Sequence, residues 1–147
     1  MMHSSFKKIF PVFSILLILI LFQNCREEIA CFSPPEPVYF KFVDATTGEN
    51  LITNGTLDPK NFTVIDQNGA AENFNLIEEN NLNAVMVYVG WFDGTKNYTF
   101  NLGNSRSFKF NVVSRKLTGN CGGNVVENVE IVNQNFEKES YFYLIKL

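Results

Sequence analysis

The sequence has very little histidine, and this excludes the commonest catalytic and metal-binding sites. Its one histidine, His3, lies in an N-terminal segment that we expect to be removed from the mature chain. The remainder then has no imidazole for a Ser–His–Asp triad, a cysteine–histidine pair or a histidine-ligated metal. We therefore expect no metal and no cofactor, and we do not expect an enzyme.

Basic side chains are also few, which argues against a nucleic-acid partner. The chain has 12 Lys and Arg against 15 Asp and Glu, a formal charge of −3. Residues 1–24 carry two lysines and no acid, so the mature chain has 10 basic residues against 15 acidic ones, a formal charge of −5. No basic run or stripe is present that could neutralise phosphates, and we expect no nucleic acid among the partners.

The longest apolar run, Ile9–Phe22, is too short to span a membrane. It has 14 residues and contains Pro11 and Ser14. At about 1.5 Å per residue, a helix of that length falls short of a hydrocarbon core of roughly 30 Å. Lys7 and Lys8 precede the run, and this order of charge and apolar residues is typical of a secretory signal. A short anchor that is retained in the membrane is the alternative.

No small-residue cleavage site follows the apolar run, and Phe22-Gln23-Asn24-Cys25 stands in its place. This segment resembles a bacterial lipoprotein signal, in which cleavage precedes a cysteine that carries a diacylglyceryl group. The resemblance implies that residues 1–24 are a signal peptide and that Cys25 attaches the protein to a membrane through lipid. One acyl chain binds only marginally, at about 0.8 kcal/mol per buried methylene, so durable anchoring needs at least two.

The residues after the cysteine suggest where the lipoprotein goes. Arg26, Glu27 and Glu28 form a base followed by two acids. This run resembles the signal that directs surface lipoproteins of the Bacteroidota to the outer face of the outer membrane. The resemblance implies a cell-surface location. The alternatives are that the run is a solvated linker and that the protein faces the periplasm.

The remaining cysteines point to a disulfide. With Cys25 assigned to lipid, Cys31 and Cys121 remain in a compartment where disulfides persist. Closing a loop of about 90 residues could contribute roughly 4 kcal/mol in the chain-entropy model. Structural zinc needs four ligands, usually with close cysteine pairs, so a zinc site is a poor alternative. Two free thiols remain possible.

The rest of the chain predicts an all-β domain. Pro34, Pro35 and Pro37 indicate a stiff linker over residues 25–37, followed by a domain over residues 38–147. In the domain, β-branched and aromatic residues alternate with polar ones in short segments separated by turn residues. Those segments are Val38–Asp44, Phe62–Asp66, Ala84–Trp91, Tyr98–Leu102, Ser107–Val113, Asn128–Val132 and Tyr141–Leu147. They predict an antiparallel β-sandwich of seven or eight strands, immunoglobulin-like or prealbumin-like.

One stretch adds a resemblance to known sandwiches. Phe40–Leu51, with the turn Asp44-Ala45-Thr46-Thr47-Gly48, is similar to the opening of prealbumin-like and collagen-adhesin B-type domains. Repeats of that adhesin type often form an isopeptide bond from a lysine of the first strand, and Lys41 occupies the corresponding position. The chain offers no persuasive glutamate and asparagine partners, so we expect Lys41 to face solvent.

Turn chemistry predicts a meander in the middle of the domain. Asp93-Gly94 is typical of a two-residue hairpin turn, in which both positions take positive φ. Counting outward pairs Val89 with Tyr98, Val87 with Phe100, and Val85 with Leu102 on one buried face. A loop over residues 103–107 then sets Leu102 against Phe108, Phe100 against Phe110, and Tyr98 against Val112.

Paired carboxylates could still act as catalytic groups, but nothing in the sequence places two together. A glycosidase needs a pair about 5 to 10 Å apart in a cleft. Glu27-Glu28 lies in the linker and Glu78-Glu79 in a polar loop. Asp44, Asp58, Asp66 and Asp93 each precede or begin a turn, where aspartate typically bonds the nearby backbone. A carboxylate-based hydrolase acting on surface glycans is therefore the alternative to a non-catalytic module.

The predicted function is a binding or structural module on the outer membrane, with a protein or glycan partner. In the hairpin register, Met86, Tyr88 and Phe92 lie opposite the core, beside Asn101, Thr99 and Thr95 respectively. Such an apolar row with a polar border is a candidate partner face. Trp91 points to the core rim in this register. The alternative is that the connection Ala70–Asn83 or the C-terminal strand covers the row.

Overall fold

The computed structural model describes residues 31–103, 105–118 and 122–147, and residues 31–147 form a compact unit. The predicted signal peptide, Cys25, the Arg26-Glu27-Glu28 run and Cys121 lie outside the described residues. Within the described ranges, no helix is long and apolar enough to cross a membrane.

The described residues form two β-sheets around a common core. The six-stranded sheet has the order β1 (Phe32–Ser33), β9 (Gly122–Val132), β8 (Ser107–Lys116), β7 (Gly94–Asn101), β3 (Thr63–Asp66) and β4 (Ala71–Glu72). The five-stranded sheet has the order β10 (Phe136–Glu139), β11 (Phe142–Lys146), β2 (Val38–Val43), β6 (Ala84–Val87) and β5 (Phe74–Ile77). Short 3₁₀ turns occupy Pro59–Asn61 and Glu79–Asn81.

The prediction of an all-β sandwich is confirmed, but two of its details are wrong. The described residues contain eleven strands instead of seven or eight. The sheets are mixed, because β1 pairs with β9 in parallel and β11 pairs with β2 in parallel. The added strands are mostly very short, and two-residue strands such as β1 and β4 carry too little alternation to be recognised in a sequence.

Phenylalanine rings fill the space between the sheets. Alternation along β2 turns Phe40 and Phe42 inward, and alternation along β7 and β8 turns Phe100 and Phe110 toward them. The ring centroids of Phe40 and Phe110 are 5.1 Å apart, with an angle of 61° between the ring planes. Edge-to-face contacts of this kind add about 0.5–1.5 kcal/mol beyond the burial of area.

The predicted hairpin at Asp93-Gly94 is wrong. Val85 and Val87 lie in β6, which pairs with β2 and β5 in the five-stranded sheet. Tyr98 and Phe100 lie in β7 of the six-stranded sheet, paired with β3 and β8. The segment between β6 and β7 therefore crosses from one sheet to the other. All the residues assigned to the buried face are buried, but they reach the common core from opposite sheets.

The next hairpin, between β7 and β8, is confirmed with a different register. Phe100 pairs with Phe108 and Tyr98 with Phe110, two residues from the predicted partners. The turn is tighter than expected, since the Leu102 N–H donates to the Arg106 carbonyl at 2.9 Å. A shift of two residues leaves every side chain on its original face, so the predicted core of this hairpin is unaffected.

The folded unit begins earlier than predicted. Residues 31–37 were assigned to the linker, but Phe32 and Ser33 pair with Gly122 and Gly123, and Pro35 is buried. Gly123 has a φ of +132°, and a Cβ there would lie 2.0 Å from the Ser33 carbonyl oxygen. Only glycine therefore allows β1 to approach β9 in this way.

Candidate functional site

The predicted partner row is broken in the structure. Met86 lies on the outer face of the five-stranded sheet, between Tyr39 of β2 and Asn75 of β5. The Tyr88 hydroxyl accepts a hydrogen bond of 2.9 Å from the Asn75 amide. Phe92 does not continue this row, because it packs on the core with its ring 6.5 Å from that of Tyr98.

The neighbours predicted for the row are also wrong. Asn101, Thr99 and Thr95 belong to β7, in the other sheet. The two segments that the alternative interpretation placed over the row do not lie over it either. The connection Ala70–Asn83 contributes β5, which lies beside β6 in the same sheet, and the C-terminal strand β11 lies beside β2. Met86 and Tyr88 therefore belong to a larger outer face.

That outer face is apolar and aromatic for much of its width. Tyr39, Met86, Phe142 and Leu144 alternate with buried residues along their strands and are partly exposed. The Lys41 ammonium lies 4.4 Å from the centre of the Phe142 ring, a cation–π contact. The outer face of a sandwich is normally polar, so this composition makes the face a candidate contact surface.

A concave site, which we call the tyrosine cleft, lies at the N-terminal ends of β2 and β11. It has a volume of about 320 Å³ and is lined by Glu36, Pro37, Tyr39, Tyr141 and Phe142. Tyr141 is 75% exposed, so its ring is available to a ligand. Flat aromatic rings with nearby polar groups suit apolar surfaces and the faces of sugars. Sequence analysis missed this cleft, because residues 36–39 and 141–142 meet only through the parallel pairing of β2 and β11.

Most of the aspartates hold turns, as predicted. Asp44 Oδ1 accepts hydrogen bonds from the backbone N–H groups of Thr46 at 2.9 Å and Thr47 at 2.7 Å. The bond from Thr47 is the main cause that lowers the pKa of Asp44. Asp58 caps the turn at Lys60 in the same way. Asp93 differs, since it accepts from the distant backbone N–H of Lys116 at 3.3 Å.

Asp66, Glu72 and Lys96 form a titratable group where the β3–β4 hairpin meets β7, and we call it the β3–β4 cluster. Asp66 is buried, accepts from the backbone N–H groups of Asn68 and Ala70, and lies 3.3 Å from the Lys96 ammonium. The Ala70 hydrogen bond is the largest influence on Asp66 and lowers its pKa, against the effect of desolvation. Desolvation raises the pKa of Glu72, partly offset by Lys96.

Burial also raises the pKa of Tyr98, which lies near both acids of this cluster. Sequence analysis assigned Asp66 to a turn and did not single out Glu72 or Lys96. Their proximity depends on the pairing of β3 with both β4 and β7. Among residues 31–103, 105–118 and 122–147, no group of three or more acidic, cysteine or histidine side chains could hold a metal ion.

Trp91 is not at the core rim, contrary to the prediction. Its side chain is 55% exposed and stacks on Phe32, which is 60% exposed. The ring centroids are 5.6 Å apart, and the ring planes differ by 16°. The predicted position depended on the incorrect hairpin register. We refer to these two residues as the Phe32–Trp91 pair.

No family model, curated protein or solved structure matches this chain. The case for its function therefore comes from its own residues. Of the predicted functional residues, Cys31 lies immediately before β1, and Met86, Tyr88 and Phe92 are placed as described above.

Proposed function

We propose that this protein is a lipid-anchored lipoprotein of the outer membrane, displayed on the cell surface, and that it acts as a non-catalytic binding module. The Phe22-Gln23-Asn24-Cys25 segment supports an anchor at Cys25, and Arg26, Glu27 and Glu28 support surface display. The compact unit begins at Cys31, so five residues separate it from the proposed lipidated cysteine. A tether of that length suits a domain held at a membrane surface.

The tyrosine cleft is the observation that carries the binding function. It combines an exposed ring, Tyr141, with the partly exposed rings of Tyr39 and Phe142 and the carboxylate of Glu36. Aromatic side chains lose little conformational freedom on binding, and tyrosine is enriched where partners meet. We propose a protein or glycan of the cell surface as its ligand, with Met86 and Tyr88 extending the contact along the sheet.

Metabolic labelling with a clickable palmitate tests the anchor. The full chain should take up the label, and Cys25→Ser should abolish labelling and release the protein to the soluble fraction. Replacing Arg26, Glu27 and Glu28 together by alanine should leave labelling intact but protect the protein from protease added to whole cells. Label that persists in Cys25→Ser would refute the anchor.

Binding at the cleft is tested with Tyr141→Ser on an array of surface glycans and on immobilised cell-envelope proteins. The variant should lose at least tenfold in affinity for any ligand of the native protein, with an unchanged melting temperature. Phe136→Ser is the matched control, because Phe136 is a partly exposed aromatic residue outside the cleft lining. Equal affinity of the two variants would contradict a role for the cleft.

The β3–β4 cluster bears on the hydrolase alternative. Two carboxyl groups whose surroundings shift their pKa values in opposite directions are typical of an acid and base pair. Here the pKa of Asp66 is lowered and that of Glu72 is raised. However, Asp66 Oδ1 is already bonded to two backbone N–H groups, which favours a structural role. Release of reducing sugar from envelope glycans that is lost in Glu72→Gln would support the hydrolase.

A further inference from the structure

We propose that the Phe32–Trp91 pair inserts into the headgroup region of the membrane that carries the lipid anchor. The contact would hold one end of the sandwich against the bilayer and orient the tyrosine cleft. This inference rests on the anchor at Cys25 that is part of the proposed function.

The pair is an unusual exposed feature. Phe32 and Trp91 expose more than half of their side chains to solvent, and their rings stack on one another. Isolated exposed aromatics are common on protein surfaces, but two stacked rings form a small contiguous apolar patch. Tryptophan has an apolar ring with one polar N–H, and this combination favours the interface between water and lipid.

The segment that carries Trp91 is firmly held, so the exposure of Trp91 is a property of the fold. On its N-terminal side, the Gly90 carbonyl accepts from the Ser114 hydroxyl at 2.6 Å. On its C-terminal side, the Phe92 carbonyl accepts from the Asn124 amide at 2.7 Å. Asp93 adds the bond to the Lys116 backbone. The segment is therefore bonded to β8 and β9 on both sides of a side chain that points outward.

Phe32 is close to the proposed anchor along the chain. Six residues lie between it and Cys25, so the two positions are seven residues apart. A chain rises at most about 3.3–3.6 Å per residue, so Phe32 stays within about 25 Å of the lipidated residue. The headgroup layer on each side of a bilayer is about 5–8 Å thick. Tethering makes the contact intramolecular, so a patch too weak to bind membranes alone can remain bound.

The charges near the segment favour an apolar contact over an electrostatic one. Arg115 is paired with Glu127 at 2.6 Å, and Asp93 adds a negative charge beside Lys116. Arg115 and Lys116, the two basic residues beside the segment, are thus each accompanied by an acidic residue. The membrane contact should therefore persist in vesicles without anionic lipid and at high salt.

The single tryptophan of the chain makes the proposal directly measurable, since all tryptophan emission comes from Trp91. The lipidated protein is reconstituted into phosphatidylcholine vesicles that contain a quencher at the headgroup or deep in the acyl chains. We expect emission shifted to shorter wavelength and at least twofold quenching by the shallow quencher. Emission unchanged from that of the Cys25→Ser protein in solution, with no quenching, would overturn the proposal.

Two variants separate the pair from general proximity to the membrane. Phe32→Ser should reduce the quenching of Trp91 by about half or more, because it removes the ring on which Trp91 stacks. Phe136→Ser removes a 41% exposed aromatic from β10 of the other sheet and should leave quenching unchanged. Equal quenching in both variants and the parent would show that Trp91 meets the lipid without the pair, contrary to the proposal.

A second arm separates this contact from the chemistry of the anchor. The mature chain, residues 25–147, keeps the whole compact unit and carries an N-terminal hexahistidine tag in this arm. Nickel-chelating vesicles then hold its first residue at the bilayer, whatever group Cys25 carries. Quenching in this arm supports the contact whether or not Cys25 carries lipid in the native protein. If mass spectrometry shows Cys25 without lipid, that result refutes only the anchor. Absence of quenching refutes the contact even if Cys25 is lipidated.

Discussion

The hydroxyl of Ser114 donates a hydrogen bond of 2.6 Å to the carbonyl oxygen of Gly90, and this contact joins β8 to the connection between β6 and β7. Ser114 is buried in β8, beside an irregularity in the β8–β9 register between Val113 and Ser114. Gly90 lies in the segment that crosses from β6 to β7. Gly90 has a φ of +96°, and a Cβ there would lie 2.6 Å from Val126. The crossing thus depends on one glycine and one buried hydroxyl.

Ser114→Ala should destabilise the fold and disturb Trp91. The substitution leaves the Gly90 carbonyl without this donor in a buried place, at a cost of about 1–3 kcal/mol. Urea denaturation measures the loss, and a change in Trp91 emission reports the altered segment. Ser107→Ala is the matched control, since Ser107 is an exposed serine of the same strand. Equal midpoints for the two variants would contradict the role of the bond.

Gly123→Ala should detach β1, whereas Gly122→Ala should not. A Cβ at Gly123 would clash with the Ser33 carbonyl, but a Cβ at Gly122 meets no atom within 4 Å. Hydrogen exchange followed by mass spectrometry should show faster exchange at residues 31–33 in Gly123→Ala only. The same exchange rate in both variants would mean that β1 does not depend on the close approach.

Tyr88→Ser and Phe92→Ser should have different effects, because the structure separates these two members of the predicted row. Tyr88 is exposed, so its truncation should change the free energy of unfolding by less than about 1 kcal/mol. Phe92 packs on the core, and its truncation should cost about 2 kcal/mol. Thermal unfolding of the single variants measures both. A larger loss of stability in Tyr88→Ser than in Phe92→Ser would contradict the described placement.

The β3–β4 cluster predicts opposite pH dependence for two conservative variants. The pKa of Asp66 is lowered below 3.8 in the fold, so its ionised form stabilises the protein above that pH. Asp66→Asn should therefore lose stability at pH 7, and the loss should shrink as the pH falls through the folded pKa.

Glu72 should behave in the opposite way. Its pKa is raised above 4.5, so its contribution to stability is present below that pH and is lost as the pH rises through the folded value. Glu72→Gln should be more stable than the parent at pH 7 and equal to it below about pH 4. Urea midpoints at pH 7, 5 and 3.5 test both variants. The same sign for both at pH 7 would contradict the assigned shifts.

The disulfide between Cys31 and Cys121 stays a prediction, because Cys121 lies outside the described residues. These cysteines directly precede Phe32 and Gly122, which pair in parallel. Peptide mapping without reduction should recover a cross-linked peptide that separates on reduction. Replacing both cysteines by serine should lower stability by about 2–5 kcal/mol. Recovery of both cysteines as alkylated monomers before reduction would refute the bond.

Sequence reasoning succeeded where the determining interactions are local. The alternation in Val38–Val43 and Gly94–Asn101 gives the correct buried faces, since successive side chains of a strand point to opposite sides. The turn at Asp44 was also predicted correctly, because its hydrogen bonds involve residues only two or three positions away.

The same reasoning failed where a choice between distant partners decides the structure. Asp93-Gly94 suits a hairpin, but the chain there crosses between sheets, and local turn chemistry does not distinguish these outcomes. Trp91 was assigned to the core rim from that register, and its exposure follows from bonds to Ser114 and Asn124, which are distant in sequence.

The amino-acid sequence by itself thus determined the all-β class, the set of inward-facing residues and the turns held by Asp44, Asp58 and Asp66. Only the tertiary structure decided which sheet each strand joins, the approach of Glu36 and Tyr141 that makes the tyrosine cleft, and the outward position of Trp91. The physical reason is the range of the interactions. Side-chain alternation and aspartate turns act within a few residues, whereas β2 and β11 pair across about a hundred residues of chain, where many pairings bury similar apolar area.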